Sequence, residues 1–264
     1  MKKVITISLV AAMLYACSNV MITGRKQLLL VPDNEVLAMS ANSFEQFIDS
    51  VPASTNYEQT KMVQRVGKNI AVAVESYMRQ NGFESEISKF KWEFHLVKDS
   101  SLNAFCMPGG KVVVFEGILR IAQNEAGTAV IMGHEIAHAV AKHSNERISQ
   151  QMATQYGAAI TGILTSNQSE ATRSTINTLY GIGAQVGVIL PYSRKHEIEA
   201  DRLGLIFMAM AGYNPKEAVA FWQRMSDNKS GSVMEFMSTH PSDERRISNM
   251  NALLPEAMKY YKTN

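Results

Sequence analysis

His134 and His138 stand four residues apart in the run His134-Glu135-Ile136-Ala137-His138, so on a helix both imidazoles face the same way and can grip one metal ion. Glu135 lies beside that face, placed to take a proton from a water attacking a peptide carbonyl. These residue types at this spacing point to zinc-dependent peptide hydrolysis. The competing reading is an accidental spacing on a solvated helix. The flanks count against it, because Ala129-Val130-Ile131-Met132 and Ala139-Val140-Ala141 make the helix apolar on most sides. Such a helix is expected to be buried, and two histidines and a glutamate buried without partners would be costly. A metal answers that cost.

A catalytic zinc needs a third protein ligand and one open position. Glu197-Ile198-Glu199-Ala200-Asp201 opens an apolar helix through Leu203, Leu205, Ile206, Phe207 and Met208. Glu197 and Asp201 are one turn apart on a common face, so Glu197 is the candidate ligand. Asp201 would then accept a hydrogen bond from the free ring nitrogen of a ligand histidine and fix its tautomer. Glu199 points elsewhere, about 200° round the helix from Glu197. Taken alone, this acidic cluster could equally complement the positive end of the helix dipole. Beside the histidine pair, the ligand reading is favoured.

These residues, with Thr23-Gly24-Arg25-Lys26-Gln27, Asn103-Ala104-Phe105, Pro108-Gly109-Gly110, Ser193-Arg194, Thr239-His240-Pro241 and Arg246-Ile247, stand in a characteristic order. The chain resembles the HtpX-like and CAAX-prenyl-protease-type gluzincin metallopeptidases, in particular their soluble periplasmic lipoprotein members. The resemblance implies Glu197 as third zinc ligand with Asp201 behind it, one Zn2+ per chain, and His240 and Arg246 at the active-site cleft. It also tips residues 103–107, with Asn103, Ala104 and Phe105 at their head, toward binding an extended substrate as one more strand of a sheet. Cys106 departs from the family pattern, which commonly has a small apolar residue there. From pattern alone, a histidine placed like His240 is usually a capping or packing residue. Here it is expected either to stabilise the oxyanion or to occupy the open zinc position in a resting state.

At the N-terminus, Met1-Lys2-Lys3 precedes an apolar run from Val4 to Ala16 that is too short to span a bilayer. It reads as a signal peptide over residues 1–16. Leu14-Tyr15-Ala16-Cys17 looks like a lipobox, so Cys17 is expected to carry lipid and residues 17–32 to act as a tether. Ser18 after the cysteine, by resemblance to bacterial lipoproteins, points to the outer membrane and a periplasm-facing position in the cell envelope. With Cys17 committed to lipid, Cys106 is the one remaining cysteine, and no disulfide can form within the mature chain. A net charge of +2 with no basic block argues against nucleic acid as a partner. The expected partners are unfolded or misassembled envelope proteins as substrates, and the membrane through the lipid anchor.

The elements that must position these groups are mostly helical. With 46% hydrophobic residues the chain can bury a core without staples, and residues 33–264 suit a single metallopeptidase domain. Apolar spacing predicts helices over residues 33–50, 57–80, 216–225 and 243–262. Residues 91–97 alternate as a strand, residues 111–115 form a β-branched run, and Pro108-Gly109-Gly110 turns between extended segments. The fold class expected is α+β, mainly helical and zincin-like, with a small antiparallel sheet beside the zinc helix. Residues 147–192 lie between the two ligand helices and read as a helical excursion packed over the core, with residues 166–175 as an exposed loop and a possible lid. His143, five residues after His138 and off its ligand face, reads as structural, as do His95 and His196. The function expected is a zinc endopeptidase of envelope protein quality control, with Glu135 as base and His240 or Arg246 on the developing negative charge. The alternative is an outer-membrane assembly chaperone whose zinc site is mainly structural.

Overall fold

Helices α1 (Asp33–Ser50) and α2 (Tyr57–Gln80) occupy the spans their apolar spacing predicts. Asn56 opens α2 by accepting the Gln59 N–H, and Val63, Val66, Ile70, Val74 and Met78 make its buried stripe. The computed structural model describes residues 17–184, 190–228 and 244–262. The signal-peptide reading of residues 1–16 and the His240 reading lie outside the described residues.

After the short helix α3 (Glu84–Ile87), strands β3 (Glu93–Val97), β4 (Ala104–Met107) and β5 (Lys111–Phe115) form a sheet in the order β3-β5-β4. β1 (Cys17–Asn19) and β2 (Lys26–Leu28) pair separately, near the start of the chain. The sheet is mixed rather than wholly antiparallel. β4 and β5 run antiparallel with Cys106 opposite Val112, whereas β3 and β5 run parallel with His95 opposite Val113. The cause is the burial of β5, whose Val112, Val113 and Val114 are inaccessible and take the centre of the sheet. Gly109 and Gly110, both at φ +88°, turn the chain from β4 back into β5, and residues 98–103 carry it from one edge of the sheet to the other. β4 is thereby an edge strand. Its Ala104 and Cys106 face the main core, while Phe105 packs on Phe47 of α1 with ring centroids 5.2 Å apart.

Behind the sheet, α4 (Glu116–Ala122) leads into α5 (Glu125–Val140), whose first turn is capped by Asn124 accepting the Gly127 N–H at 2.9 Å. Nearly every residue of α5 is buried, as its all-round apolar character predicts. It packs against α2, α4, β4 and, most extensively, α8 (Leu190–Met210). Two glycines permit that approach. A Cβ on Gly133 would lie 2.9 Å from the Gly204 carbonyl oxygen, and one on Gly204 would lie 2.9 Å from the His134 backbone nitrogen. Helices α9 (Glu217–Asp227) and α10 (Glu244–Ala257) close the other side of the core.

Between α5 and α8 the chain makes a hairpin of α6 (His143–Leu164) and α7 (Glu170–Ala184). The expected loop is shorter than residues 166–175, because Ser169 accepts the Thr172 N–H and starts α7 at Glu170. The hairpin does not lie flat over the core: Tyr156, Ile160, Ile163, Leu164 and Leu179 are exposed. Residues 17–32 are not a free tether either. β1 and β2 are antiparallel, Val20 and Gln27 are buried, and the Leu30 N–H donates to Ser149 Oγ at 2.8 Å. Among the described residues, no helix is long and apolar enough to cross a membrane.

Candidate metal centre

The centre is built where α5 and α8 touch. Helical spacing puts His134 and His138 on the same side of α5, and the Gly133–Gly204 contact brings Glu197 of α8 opposite them. The Nε2 atoms of His134 and His138 are 3.0 Å apart. Glu197 places Oε2 3.3 Å from His134 Nε2 and Oε1 3.3 Å from His138 Nε2. One donor atom from each of the three residues falls within 4.8 Å of the others. Glu135 is buried beside them, close enough to Cys106 that its charge reinforces burial in pushing that thiol far up in pKa. Cys106 is thus a buried thiol of the core.

Asp201 and Arg246 form the layer behind. His134 Nδ1 lies 2.9 Å from Asp201 Oδ1, the contact expected of a carboxylate that sets a ligand tautomer. Arg246 donates from Nε and Nη2 to Asp201 at 2.9 and 2.7 Å, and its Nη1 is 3.2 Å from Glu197 Oε2. Its guanidinium lies 3.6 Å from the ring centroid of buried Trp222. Arg246, expected on the developing negative charge of the substrate, stands behind the ligands in this structure. Buried between two carboxylates, the guanidinium supplies them with a counter-charge.

Burial lowers the His134 pKa, but the hydrogen bonds to Asp201 and Glu197 more than reverse this and take it up to about 9. Burial dominates at His138, whose pKa falls well below the usual histidine value. The carboxylates therefore draw positive charge to this spot while one imidazole keeps its lone pair. Two imidazoles and one carboxylate converging in this way suit Zn2+, and three protein ligands are the number that leaves a coordination position for reactants.

Several residues read as structural or as turned away belong to this centre. His143 Nδ1 is 2.8 Å from His138 Nδ1, and His143 Nε2 is 2.9 Å from Glu199 Oε2. On one continuous helix His143 would fall off the ligand face. Instead α5 ends at Val140, Lys142 turns left-handed at φ +58°, and a new helix begins at His143 itself. Glu199 does point away from Glu197, but toward His143 and Arg25 rather than solvent. His196 joins the same network through Glu146, at 2.9 Å. His95 is remote, on β3 against Phe44. Of the expected strand residues, Asn103 lends its carbonyl to Phe115 N–H at 3.1 Å, Ala104 is buried, and the Phe105 ring is held in the α1 cluster. What β4 has to offer a substrate is its backbone.

With this geometry established, comparison with known proteins is decisive at one level: the model of Peptidase family M48 matches residues 59–254. The chain belongs to peptidase family M48. The metallopeptidase class expected from the histidine pair is that of the family. The M48 match does not resolve the HtpX-like lipoprotein branch. The chain is similar to the mitochondrial metalloendopeptidase OMA1 of Schizosaccharomyces pombe, 38% identical over 182 residues, covering 68% of this chain and 52% of that protein. It is also similar to the human metalloendopeptidase OMA1, mitochondrial, 30% identical over 246 residues, covering 90% of this chain and 46% of that protein. The beta-barrel assembly-enhancing protease of Yersinia pestis is 29% identical over 164 residues, covering 60% of this chain and 33% of that protein. The chain thus spans about half the length, or less, of the curated relatives it matches. These relatives overturn the expected location at the bacterial outer membrane: the several OMA1 proteins are mitochondrial by name and match this M48 chain at higher identity or over more of its length than the bacterial protease does. Leu14-Tyr15-Ala16-Cys17 is only four residues long, whereas the similarity to OMA1 proteins extends over 68% of this chain in one case and 92% in another.

Proposed function

We propose that this M48 chain is a zinc-dependent endopeptidase that cuts extended segments of unfolded or misassembled proteins. The observation that carries the reading is the convergence of His134, His138 and Glu197 within 4.8 Å, with Asp201 behind His134. His134, His138 and Glu197 would hold the ion. Zinc, when bound, supplies a Lewis acid that polarises a peptide carbonyl and makes water a better nucleophile at neutral pH.

The chain's own residues do the rest. Glu135, on the ligand helix between the two histidines, accepts the proton of the attacking water and returns a proton to the leaving amine. Asp201 keeps the His134 lone pair directed at the ion by holding Nδ1, and Arg246 holds Asp201 and Glu197 in place, its charge lowering the Asp201 pKa against the effect of burial. The edge of β4 gives an extended substrate a row of backbone groups to pair with, beside α5. That mode of binding favours unfolded chains, since a segment inside a folded protein has its own backbone groups already paired.

The test compares wild type with Glu135→Gln, both confirmed to hold zinc, on a casein-like unfolded protein. Cleavage by wild type and its loss in Glu135→Gln is the expected result. Cleavage that survives in Glu135→Gln would refute the assigned base. Absence of cleavage by both, with zinc bound, would favour a chaperone with a mainly structural metal.

A further inference from the structure

The proton positions around His138 follow from its neighbours. For Nε2 of His138 to turn a lone pair toward a metal, its proton must sit on Nδ1, which is 2.8 Å from His143 Nδ1. His143 Nδ1 must then be the acceptor, so the His143 proton is on Nε2, where it donates to Glu199 Oε2 at 2.9 Å. Glu199 can serve as that acceptor only if it is held in place. Arg25 holds it: Nε donates to Glu199 Oε2 at 2.8 Å, and the Thr23 hydroxyl donates to Glu199 Oε1.

The other end of the same guanidinium donates from Nη1 and Nη2 to Glu146 on α6, at 3.0 and 2.7 Å. Glu146 in turn takes the His196 Nε2 contact at 2.9 Å, and the His196 ring stacks on His143 at 4.2 Å. One arginine from the β1–β2 segment therefore clamps carboxylates from α6, the first helix of the hairpin, and from α8, the helix that follows it. The carboxylates it clamps are buried, with side chains 0% exposed for Glu146 and 5% for Glu199.

The geometry assigns Arg25 as a positioning residue of the metal centre, acting through Glu199 and His143 to hold His138 in the tautomer that can bind zinc. This rests on the reading of His134, His138 and Glu197 as zinc ligands. Without Arg25, Glu199 loses its charged partner and keeps the Thr23 hydroxyl, and His143 is freer to place its proton on Nδ1. That arrangement opposes two N–H groups and drives the His138 proton onto the nitrogen the metal needs. The β1–β2 segment thereby becomes part of the metal centre, although it lies more than a hundred residues before His138 in sequence.

The test measures zinc affinity of the full chain by competition with a chromophoric chelator, together with the visible spectrum of the cobalt(II) form. Arg25→Ala is expected to weaken zinc binding about 10- to 100-fold and to alter the cobalt bands, as loss of an outer-layer partner does. Arg25→Lys should recover part of the loss, since an ammonium can reach one carboxylate but cannot bridge both. In a His143→Phe background, Arg25→Ala should cost little more, because the same chain of hydrogen bonds is already broken. Thr23→Val, which removes only the hydroxyl on Glu199, should change affinity several-fold in the same direction and covers the case in which Arg25→Ala does not fold. Wild-type affinity and cobalt spectrum in folded Arg25→Ala would overturn the assignment, as would losses that add in full with His143→Phe. In the case where Arg25→Ala does not fold, an unchanged Thr23→Val would do the same. A wild type that binds zinc with this pattern but cleaves nothing would refute the peptidase reading alone, whereas a wild type that takes up no zinc would overturn both.

Discussion

Asp201 carries two tasks at once: it receives the His134 ring nitrogen at 2.9 Å and Arg246 at 2.7 Å. Replacing it by asparagine keeps the shape but removes the charge that holds His134 in its tautomer. Asp201→Asn is expected to lower zinc affinity about 10- to 100-fold, read by chelator competition; unchanged affinity would remove Asp201 from the centre. Arg246 differs in kind, because removing it strands two buried carboxylates and bares the face of Trp222. Arg246→Ala should therefore cost stability, about 3–5 kcal/mol by urea unfolding, in addition to weakening zinc. A variant as stable as wild type would mean that the guanidinium is not the counter-charge described above.

At the scale of elements, the site depends on how closely α5 and α8 approach. His134 and Glu197 belong to different helices, and their 3.3 Å separation is set by the glycine contact between them. Gly204→Ala places a methyl 2.9 Å from the His134 backbone nitrogen, which cannot move without moving α5. The expected cost is about 1–3 kcal/mol of stability, together with a weaker zinc site, since the helices must part. Stability lost with zinc affinity intact would show that the ligands tolerate that shift. The hairpin of α6 and α7 is a contrasting element: its two helices touch, but beyond Gln150 their described side chains are half-buried or exposed, Ile163 and Leu164 among the exposed.

For the molecule as a whole, the buried Arg25 network links stability to acidity. Burial raises the Glu146 pKa, but hydrogen bonds from His196 and Arg25 outweigh it and bring the group down to about 2 from an ordinary 4.5. A carboxylate depressed on folding stabilises the fold above its unfolded pKa, and that contribution is lost as pH falls from about 4.5 toward 2. Urea midpoints should drop across this window, and Glu146→Gln should flatten the drop; an equal slope in the variant would exclude Glu146 as its source. Adding a chelator to the zinc-loaded chain should lower the thermal midpoint, because a ligand bound only by the folded state stabilises it by mass action. How much of this was legible beforehand differs from residue to residue. His134, Glu135 and His138 could be read directly, because four-residue spacing on an apolar helix is local information. Glu197 and Asp201 could be paired on one face for the same reason, and the α1 and α2 spans followed from apolar periodicity. The mixed sheet was not legible, because the parallel pairing of β3 with β5 depends on which strand is buried centrally. Nor was His143, since a left-handed Lys142 breaks the helix on which its direction was reckoned. Arg25 and Arg246 show the boundary most plainly. Sequence by itself determined which groups could bind a metal and on which helix faces they stand. Only the tertiary structure decided which distant charges hold those groups in place, because a buried carboxylate must find its counter-ion in space and chain separation says nothing of where that ion is.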